Sequence, residues 1–234
     1  MNALVDIGFS VFACSGVSRD GSDDLVELPP GVLYSALRMS RSGLDGVLTF
    51  FQLLLVFRRS KPDFCLAYTH KSVFLAGLAC FVFRRVKFIP MVTGLGYAFI
   101  DNENKSRKFI RKLVGFCLRV SLLRATAVIF QNPDDEDLMK KEKICRESKP
   151  SFVVNGSGVN LAYFKRGKSP SAPTDFIFCM VGRLLADKGV MEFLEAANKA
   201  AAEWPGVRFM LIGGFDYANP AALSLDTINQ ANSD

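Results

Sequence analysis

The sequence has one histidine, His70, no Cys-x-x-Cys pair, no acidic residue between Lys105 and Arg124, and no apolar run of bilayer length. One histidine and no paired cysteines exclude a zinc set of the usual ligand spacing. The six cysteines (Cys14, Cys65, Cys80, Cys117, Cys145, Cys179) are scattered, mostly inside apolar runs. They are expected to be reduced core thiols of a cytoplasmic chain. The two longest apolar runs, Val47 to Phe57 and Val73 to Phe83, are about half the length needed to cross a hydrocarbon core, and Gln52 interrupts the first. No secretory signal pattern opens the chain, and it carries neither an internal repeat nor a low-complexity segment.

What is there supports a globular protein. Half of the 234 residues are apolar and 22% are charged, enough to bury a core and unlike a disordered chain. The length allows one large domain, or one domain and part of another. The net charge of +6 is uneven, with 22 Lys and Arg against 15 Asp and Glu up to residue 150, and 7 against 8 after it. Such a basic surplus suits nucleic acid, anionic lipid or phosphorylated ligands.

Strand-like segments (Phe9 to Cys14, Phe64 to Tyr68, Lys87 to Val92, Ala127 to Phe130, Phe152 to Val154) alternate with helix-like ones (Leu44 to Arg59, Ser72 to Phe83, Ser106 to Leu122, Asp134 to Lys143). This is the rhythm of a parallel sheet covered on both faces, so residues 1–155 are expected to form a Rossmann-like α/β domain. Residues 1 to 8 read as the end of a helix stopping at Gly8, which leaves this domain without its first strand. Gly156, Gly158, Pro170 and Pro173 mark residues 156–174 as a crossover between domains. A second unit over 175–234 starts with a strand Phe176 to Val181, a helix Val190 to Trp204 and a strand Val207 to Ile212. In the helix, Val190, Phe193, Leu194, Ala197, Ala201 and Trp204 share one face. After Gly213-Gly214 the chain turns polar, and one and a half β-α units cannot cover a sheet, so this domain is expected to be partial.

The loop Val181-Gly182-Arg183-Leu184-Leu185-Ala186-Asp187-Lys188-Gly189 lies between a strand and a helix. A loop leaving the carboxyl end of a parallel strand brings free N–H groups and a positive helix end to a ligand. Arg183 and Lys188 in that loop suit a diphosphate, and the alternative is a solvated loop with two surface cations.

Four motifs carry a resemblance: Gly182-Arg183 with Lys188-Gly189, Asn155-Gly156-Ser157-Gly158-Val159-Asn160, Thr93-Gly94-Leu95-Gly96-Tyr97-Ala98-Phe99, and Phe130-Gln131-Asn132-Pro133. In this order they resemble glycosyltransferase family 4, in particular its bacterial members that build capsule, O-antigen and lipid-linked oligosaccharide. The resemblance runs over nearly the whole chain. It implies a two-domain GT-B fold and a retaining transfer from a nucleotide diphosphate donor, a UDP-hexosamine being expected, to an undecaprenyl-linked glycan acceptor. Arg183 and Lys188 would hold the donor diphosphate and neutralise it as it leaves, with Gly182, Gly189, Gly213 and Gly214 also on the donor side. No metal cofactor is implied. The leaving phosphate would accept the acceptor hydroxyl's proton from the same face. Many relatives carry His-Gly where this sequence has Thr93-Gly94, so a catalytic histidine is not carried over, and Thr93, Gly94 and Gly96 are expected to approach the sugar or acceptor. His70 and Lys71, at a strand end, would touch the acceptor's phosphate; the alternative for His70 is a packed residue.

Complete family members begin with a central strand and a glycine-bearing loop and end with a Glu-x7-Glu segment, and both are absent from this sequence. The chain is therefore expected to be a fragment, and a non-catalytic subunit of a split enzyme and an inactive truncation product are the alternatives. Asp135-Glu136-Asp137 is expected to favour a helix start rather than bind a metal. Neither Gly94-Leu95-Gly96 nor Gly156-Ser157-Gly158 has the third glycine of a dinucleotide fingerprint. Lys105 to Arg124 holds seven cations and no acid among apolar residues. It suits either an anionic membrane surface, at the inner face of a bacterial plasma membrane, or a covering helix. No nucleic-acid partner is expected, because no aromatic platform accompanies the cations.

Overall fold

A computed structural model describes residues 2–17, 30–38, 43–95, 99, 105–156, 158–165, 167, 176–216, 219 and 221–231. Its elements are α1 (Asn2–Asp6), β1 (Val11–Val17), β2 (Val32–Arg38), α2 (Gly43–Ser60), β3 (Phe64–Tyr68), α3 (His70–Val82), β4 (Lys87–Val92), α4 (Lys105–Leu123), β5 (Val128–Phe130), α5 (Pro133–Lys141) and β6 (Ser151–Val153). They continue with β7 (Phe176–Val181), a 3-10 turn (Ala186–Lys188), α6 (Val190–Glu203), β8 (Val207–Ile212) and α7 (Leu225–Ala231). The ladders between these strands are parallel. The chain divides into two compact units, Met1–Val159 and Asn160–Asp234.

In the first unit β1 and β2 form one sheet, and β3-β4-β5-β6 form another. Apolar side chains fill the helix-to-sheet layer: Phe88, Val128, Phe130, Ala79, Cys80 and Met139 have no exposed surface. Pro90 sits in the interior strand β4 without breaking the sheet. It has no N–H to donate, and the pairing to the β5 side touches Phe88 and then resumes at Met91. Helices α3 and α4 cross closely at Gly77, where an added Cβ would stand 2.6 Å from that of Ser121. Buried Ser121 satisfies its hydroxyl by donating to the Cys117 carbonyl at 2.9 Å.

Helix α5 begins as its sequence dictates. The Asn132 side chain accepts from the Asp135 N–H at 2.7 Å, Pro133 follows the cap, and three acids fill the first turn. Of Asp135-Glu136-Asp137, the first two thus serve the helix start, with Asp134, and Glu136 pairs with Lys140 at 2.6 Å. Among the described residues no group of three or more His, Cys, Asp or Glu could hold a metal ion. Several cations of the basic segment are structural. Arg119 donates to the Lys143 carbonyl at 2.7 Å, and Arg124 donates to Cys80 and Arg84 carbonyls at 3.1 Å each.

In the second unit Phe178 of β7 stacks on its ladder partner Phe209 of β8 at 5.4 Å, and Phe193 of α6 meets Phe209 edge-on at 6.0 Å. Leu184, Val190, Leu194 and Leu223 form its core. Three elements depart from the expectation. β2 pairs in register with β1, where no strand is expected; α7 occupies the polar tail; and α6 stops at Glu203, leaving Trp204 as a C-cap that is 58% exposed. Gly96, Ser157, Pro170 and Pro173 lie outside the described residues.

Candidate functional site

In each unit the residues singled out by sequence lie on loops that leave the carboxyl ends of parallel strands, where backbone N–H groups and helix N-termini point away from the sheet. The two sets belong to different units.

In the second unit Gly182 follows β7 and Gly213-Gly214 follows β8. The two exits are tied together: Gly182 N–H donates to the Ile212 carbonyl at 3.0 Å, and Leu184 N–H donates to the Gly214 carbonyl at 3.2 Å. Gly213 faces the Gly182 carbonyl so closely that an added Cβ would stand 1.8 Å from the oxygen. Gly189 takes φ 79°, ending the 3-10 turn and starting α6 in a conformation glycine adopts without strain. Between these glycines, Leu184 and Leu185 are buried and anchor the loop, while Arg183 and Lys188 are exposed. Residues 221–223 brace it: Ala186 N–H donates to the Ala221 carbonyl at 2.8 Å and Leu223 N–H donates to that of Leu184 at 3.1 Å.

The Arg183 guanidinium donates to the Asp216 carboxylate at 3.1 Å. Asp216 was not singled out from sequence. Its signal is its place two residues beyond Gly213-Gly214, on the second loop of the same sheet edge. With the Arg183 side chain 60% exposed, the pair orients the guanidinium more than it stabilises the fold.

In the first unit the exits of the paired strands β3 and β4 are neighbours, which brings Thr69, His70 and Lys71 beside Thr93 and Gly94. Thr69 takes φ 66° and ψ 151°, a region that costs a non-glycine residue about 1–3 kcal/mol. That strain marks the start of α3 and was not legible from sequence. His70 opens the helix with its Nε2 buried and without a hydrogen-bond partner. Burial pushes the His70 pKa below its ordinary value, against the opposing pull of Asp135 at the start of α5. The imidazole is thus neutral near pH 7. Gly94 takes φ 117° beside open space, and Leu95 is buried and fastens the loop. Gln131, after β5, reaches the Met91 sulfur at 4.0 Å.

A sequence model of the family described as glycosyl transferase 4-like matches residues 10–132. Among curated proteins, the N,N'-diacetylbacillosaminyl-diphospho-undecaprenol alpha-1,3-N-acetylgalactosaminyltransferase of Campylobacter jejuni is 28% identical over 214 residues, 85% of this chain and 54% of that protein. The chain thus spans about half the length of this curated relative. Among solved structures, sucrose-phosphate synthase from Thermosynechococcus elongatus superposes with a TM-score of 0.70 at 17% identity, over 94% of this chain and 56% of that one. A Listeria monocytogenes protein described as a UDP-N-acetylglucosamine 2-epimerase superposes with a TM-score of 0.51 at 13% identity, over 88% of this chain and 51% of its own. At these identities the superpositions speak for the fold: two Rossmann-like α/β units with parallel sheets, GT-B-like, with part of one sheet missing.

Proposed function

Because this chain belongs to the glycosyl transferase 4-like family, we propose that its parent protein transfers a sugar from a nucleoside diphosphate donor to a lipid-linked glycan, with retention of configuration. The donor is a UDP-hexosamine and the acceptor is carried on undecaprenyl diphosphate. Residues 175–234 belong to the donor side, 1–155 to the acceptor side, and 156–174 to the crossover between them. The name of the Campylobacter jejuni relative supports the acceptor class.

The observation that carries this reading is the cationic loop of the second unit. Gly182 and Gly213 in contact, with Arg183 oriented by Asp216 and Lys188 exposed, leave two cationic side chains on a braced loop at one sheet edge. Cleaving the bond from a sugar to a nucleoside diphosphate builds negative charge on the departing phosphate oxygen. Fixed cations stabilise that charge more than the ground state, which is what lowers the barrier. The departing oxygen then accepts the proton of the acceptor hydroxyl on the same face, so the protein supplies positioning and charge rather than a strong base. On the acceptor side, Lys71 and the α3 start would meet the acceptor's phosphate, with Thr93, Gly94 and Gly96 approaching the sugar.

Two features support work at the inner face of a bacterial plasma membrane. Phe109, Leu113 and Phe116 line one side of α4 and are 69%, 52% and 63% exposed. Lys108 and Lys112 flank them, as suits an anionic headgroup layer. Among the described residues no helix is long and apolar enough to cross a membrane.

The test is UDP binding by calorimetry, with transfer from UDP-N-acetylgalactosamine measured on the parent protein. Each charge-assisted phosphate contact contributes about 1.5–3 kcal/mol, so Arg183→Ala and Lys188→Ala should each weaken UDP binding by about 10- to 150-fold. Unchanged affinity and turnover in both variants would rule out the clamp.

A further inference from the structure

Helix α4 has a second face beside its apolar stripe. Lys108, Lys112, Gly115 and Arg119 recur at helical spacing and wall a cavity of about 500 Å³, whose other side is the turn after α5 at Glu142 and Ile144. That turn is fastened to the helix at three points. Ile144 packs where Gly115 leaves room, its Cδ1 only 3.2 Å from the place of an added Cβ. The Glu142 carboxylate accepts from Arg111 at 2.7 Å, and the Lys143 carbonyl accepts from Arg119 Nε at 2.7 Å. The second bond uses Nε alone and leaves the two terminal nitrogens of the Arg119 guanidinium to the groove. A further cavity of about 600 Å³ shares Phe116, Arg119 and Ile144 with the first and adds Lys143 and Arg146, both exposed.

The acids that line the two cavities are Glu142 and Glu147, so the groove carries a positive surplus. Its volume is that of a small-molecule site. A guanidinium held at Nε presents paired donors that match the oxygens of a phosphate, and lysines add point charges around it. The neighbouring face of α4 indicates what carries that phosphate. Phe109 and Leu113 are exposed there, and Phe116, 63% exposed, belongs to both faces because it also lines the groove. A free phosphate or an acidic peptide makes no use of this apolar border, whereas a phospholipid holds its phosphate next to its acyl chains.

We propose that the groove between α4 and the turn after α5 binds the headgroup phosphate of one anionic phospholipid, with the acyl chains directed over Phe116. The inference rests on the membrane-face reading of α4 and deepens it. With the apolar stripe on the bilayer, the groove on the adjacent face opens at the depth of the headgroups. Seating one lipid turns a diffuse attraction into a saturable one-to-one contact.

The test is acetylation of lysines in the full chain, followed by mass spectrometry. Dihexanoyl phosphatidylglycerol below its micelle concentration is the probe, and exposed Lys61, between α2 and β3, is the reference. At ten times the lipid's dissociation constant, Lys112 and Lys143 should react about tenfold more slowly while Lys61 is unaffected. Dihexanoyl phosphatidylcholine, whose choline the cations repel, should bind at least about tenfold more weakly. Lys112→Gln with Lys143→Asn should weaken the phosphatidylglycerol lipid at least about tenfold, read at Lys108; asparagine tolerates the φ of 56° at position 143. Phe109→Ser with Leu113→Ser should reduce flotation with anionic vesicles yet keep the protection. The groove is overturned, with the membrane face intact, if the chain floats but the lipid gives no saturable protection or binds the Lys112 and Lys143 double variant equally well. Equal protection by inorganic phosphate, by the choline lipid or by a glutamate-rich peptide overturns the lipid as occupant. A chain that does not float with anionic vesicles at all removes the membrane face and the lipid assignment together.

Discussion

Alanine at position 213 puts a Cβ 1.8 Å from the Gly182 carbonyl oxygen, 3.0 Å from its carbonyl carbon and 3.2 Å from Leu184 Cδ2. The nearest neighbour is backbone, which cannot rotate out of the way. To reach even 3.0 Å the two loops must separate by about 1.2 Å. Overpacking of this kind costs about 1–3 kcal/mol. The separation also strains the Gly182-to-Ile212 and Leu184-to-Gly214 bonds, 3.0 and 3.2 Å long, each worth about 0.5–1.5 kcal/mol. The sum, about 2–6 kcal/mol, compares with the roughly 4–11 kcal/mol expected for a unit of this size at about 0.05–0.15 kcal/mol per residue. Gly214→Ala is the matched control, because nothing lies within 4 Å of its added Cβ and its φ is not positive. Hydrogen exchange read by mass spectrometry should show β7 and β8 losing protection in Gly213→Ala while β4 and β5 keep theirs, with Gly214→Ala close to the parent. Native-like exchange in Gly213→Ala, or equal damage in both variants, would refute the loop contact and the donor-side geometry built on it.

Asp216→Asn should leave thermal stability within about 0.5 kcal/mol, because an exposed pair contributes little. UDP affinity should rise about two- to fivefold as a negative charge leaves the phosphate site; a tenfold loss would make Asp216 a ligand contact in its own right. His70 predicts a pH effect with a definite sign. Its folded pKa lies below the ordinary 6.5, so the unfolded chain takes up the proton first. Stability is full above about pH 6.5 and falls as pH drops through that value toward the folded pKa. Melting curves between pH 7.5 and 5.5 should therefore shift less in His70→Gln, and identical shifts would remove the assignment; Glu136, whose pKa is held below 4.5 chiefly by its hydrogen bond from Lys140, acts only at lower pH. For the membrane face, Phe109→Ser with Phe116→Ser should weaken flotation with anionic vesicles by about tenfold or more, since burying each ring is worth about 1.5–3 kcal/mol. Unaltered flotation would assign α4 a purely covering role.

Where order is local, the residues announce it. β3 and β7 are uninterrupted apolar runs, β4 and β8 are apolar apart from Lys87 and Arg208 near their starts, and all four appear with the bounds read from the chain. Asn132-Pro133 with three acids specifies the start of α5 within a single turn. The position of the loop from Gly182 to Gly189, between a strand and a helix, is equally legible from its glycines.

What escaped was decided by partners far along the chain. β2 is a strand because Val32 to Arg38 lie in register with Val11 to Val17; its own residues follow Pro29-Pro30-Gly31 and carry no clear alternation. Helix α7 had a local mark, a Ser224 hydroxyl that accepts from the Thr227 N–H at 3.0 Å, yet it is the packing of Leu223 and Ile228 on the Leu184 cluster that holds it. Asp216 meets Arg183, thirty-three residues away, only because β7 and β8 run side by side and release their loops at the same edge. Gly213 is irreplaceable for the same reason. Steric fit between segments distant in sequence exists only once the chain has closed on itself, whereas periodicity, caps and turn chemistry act within a few residues and can be read before it does.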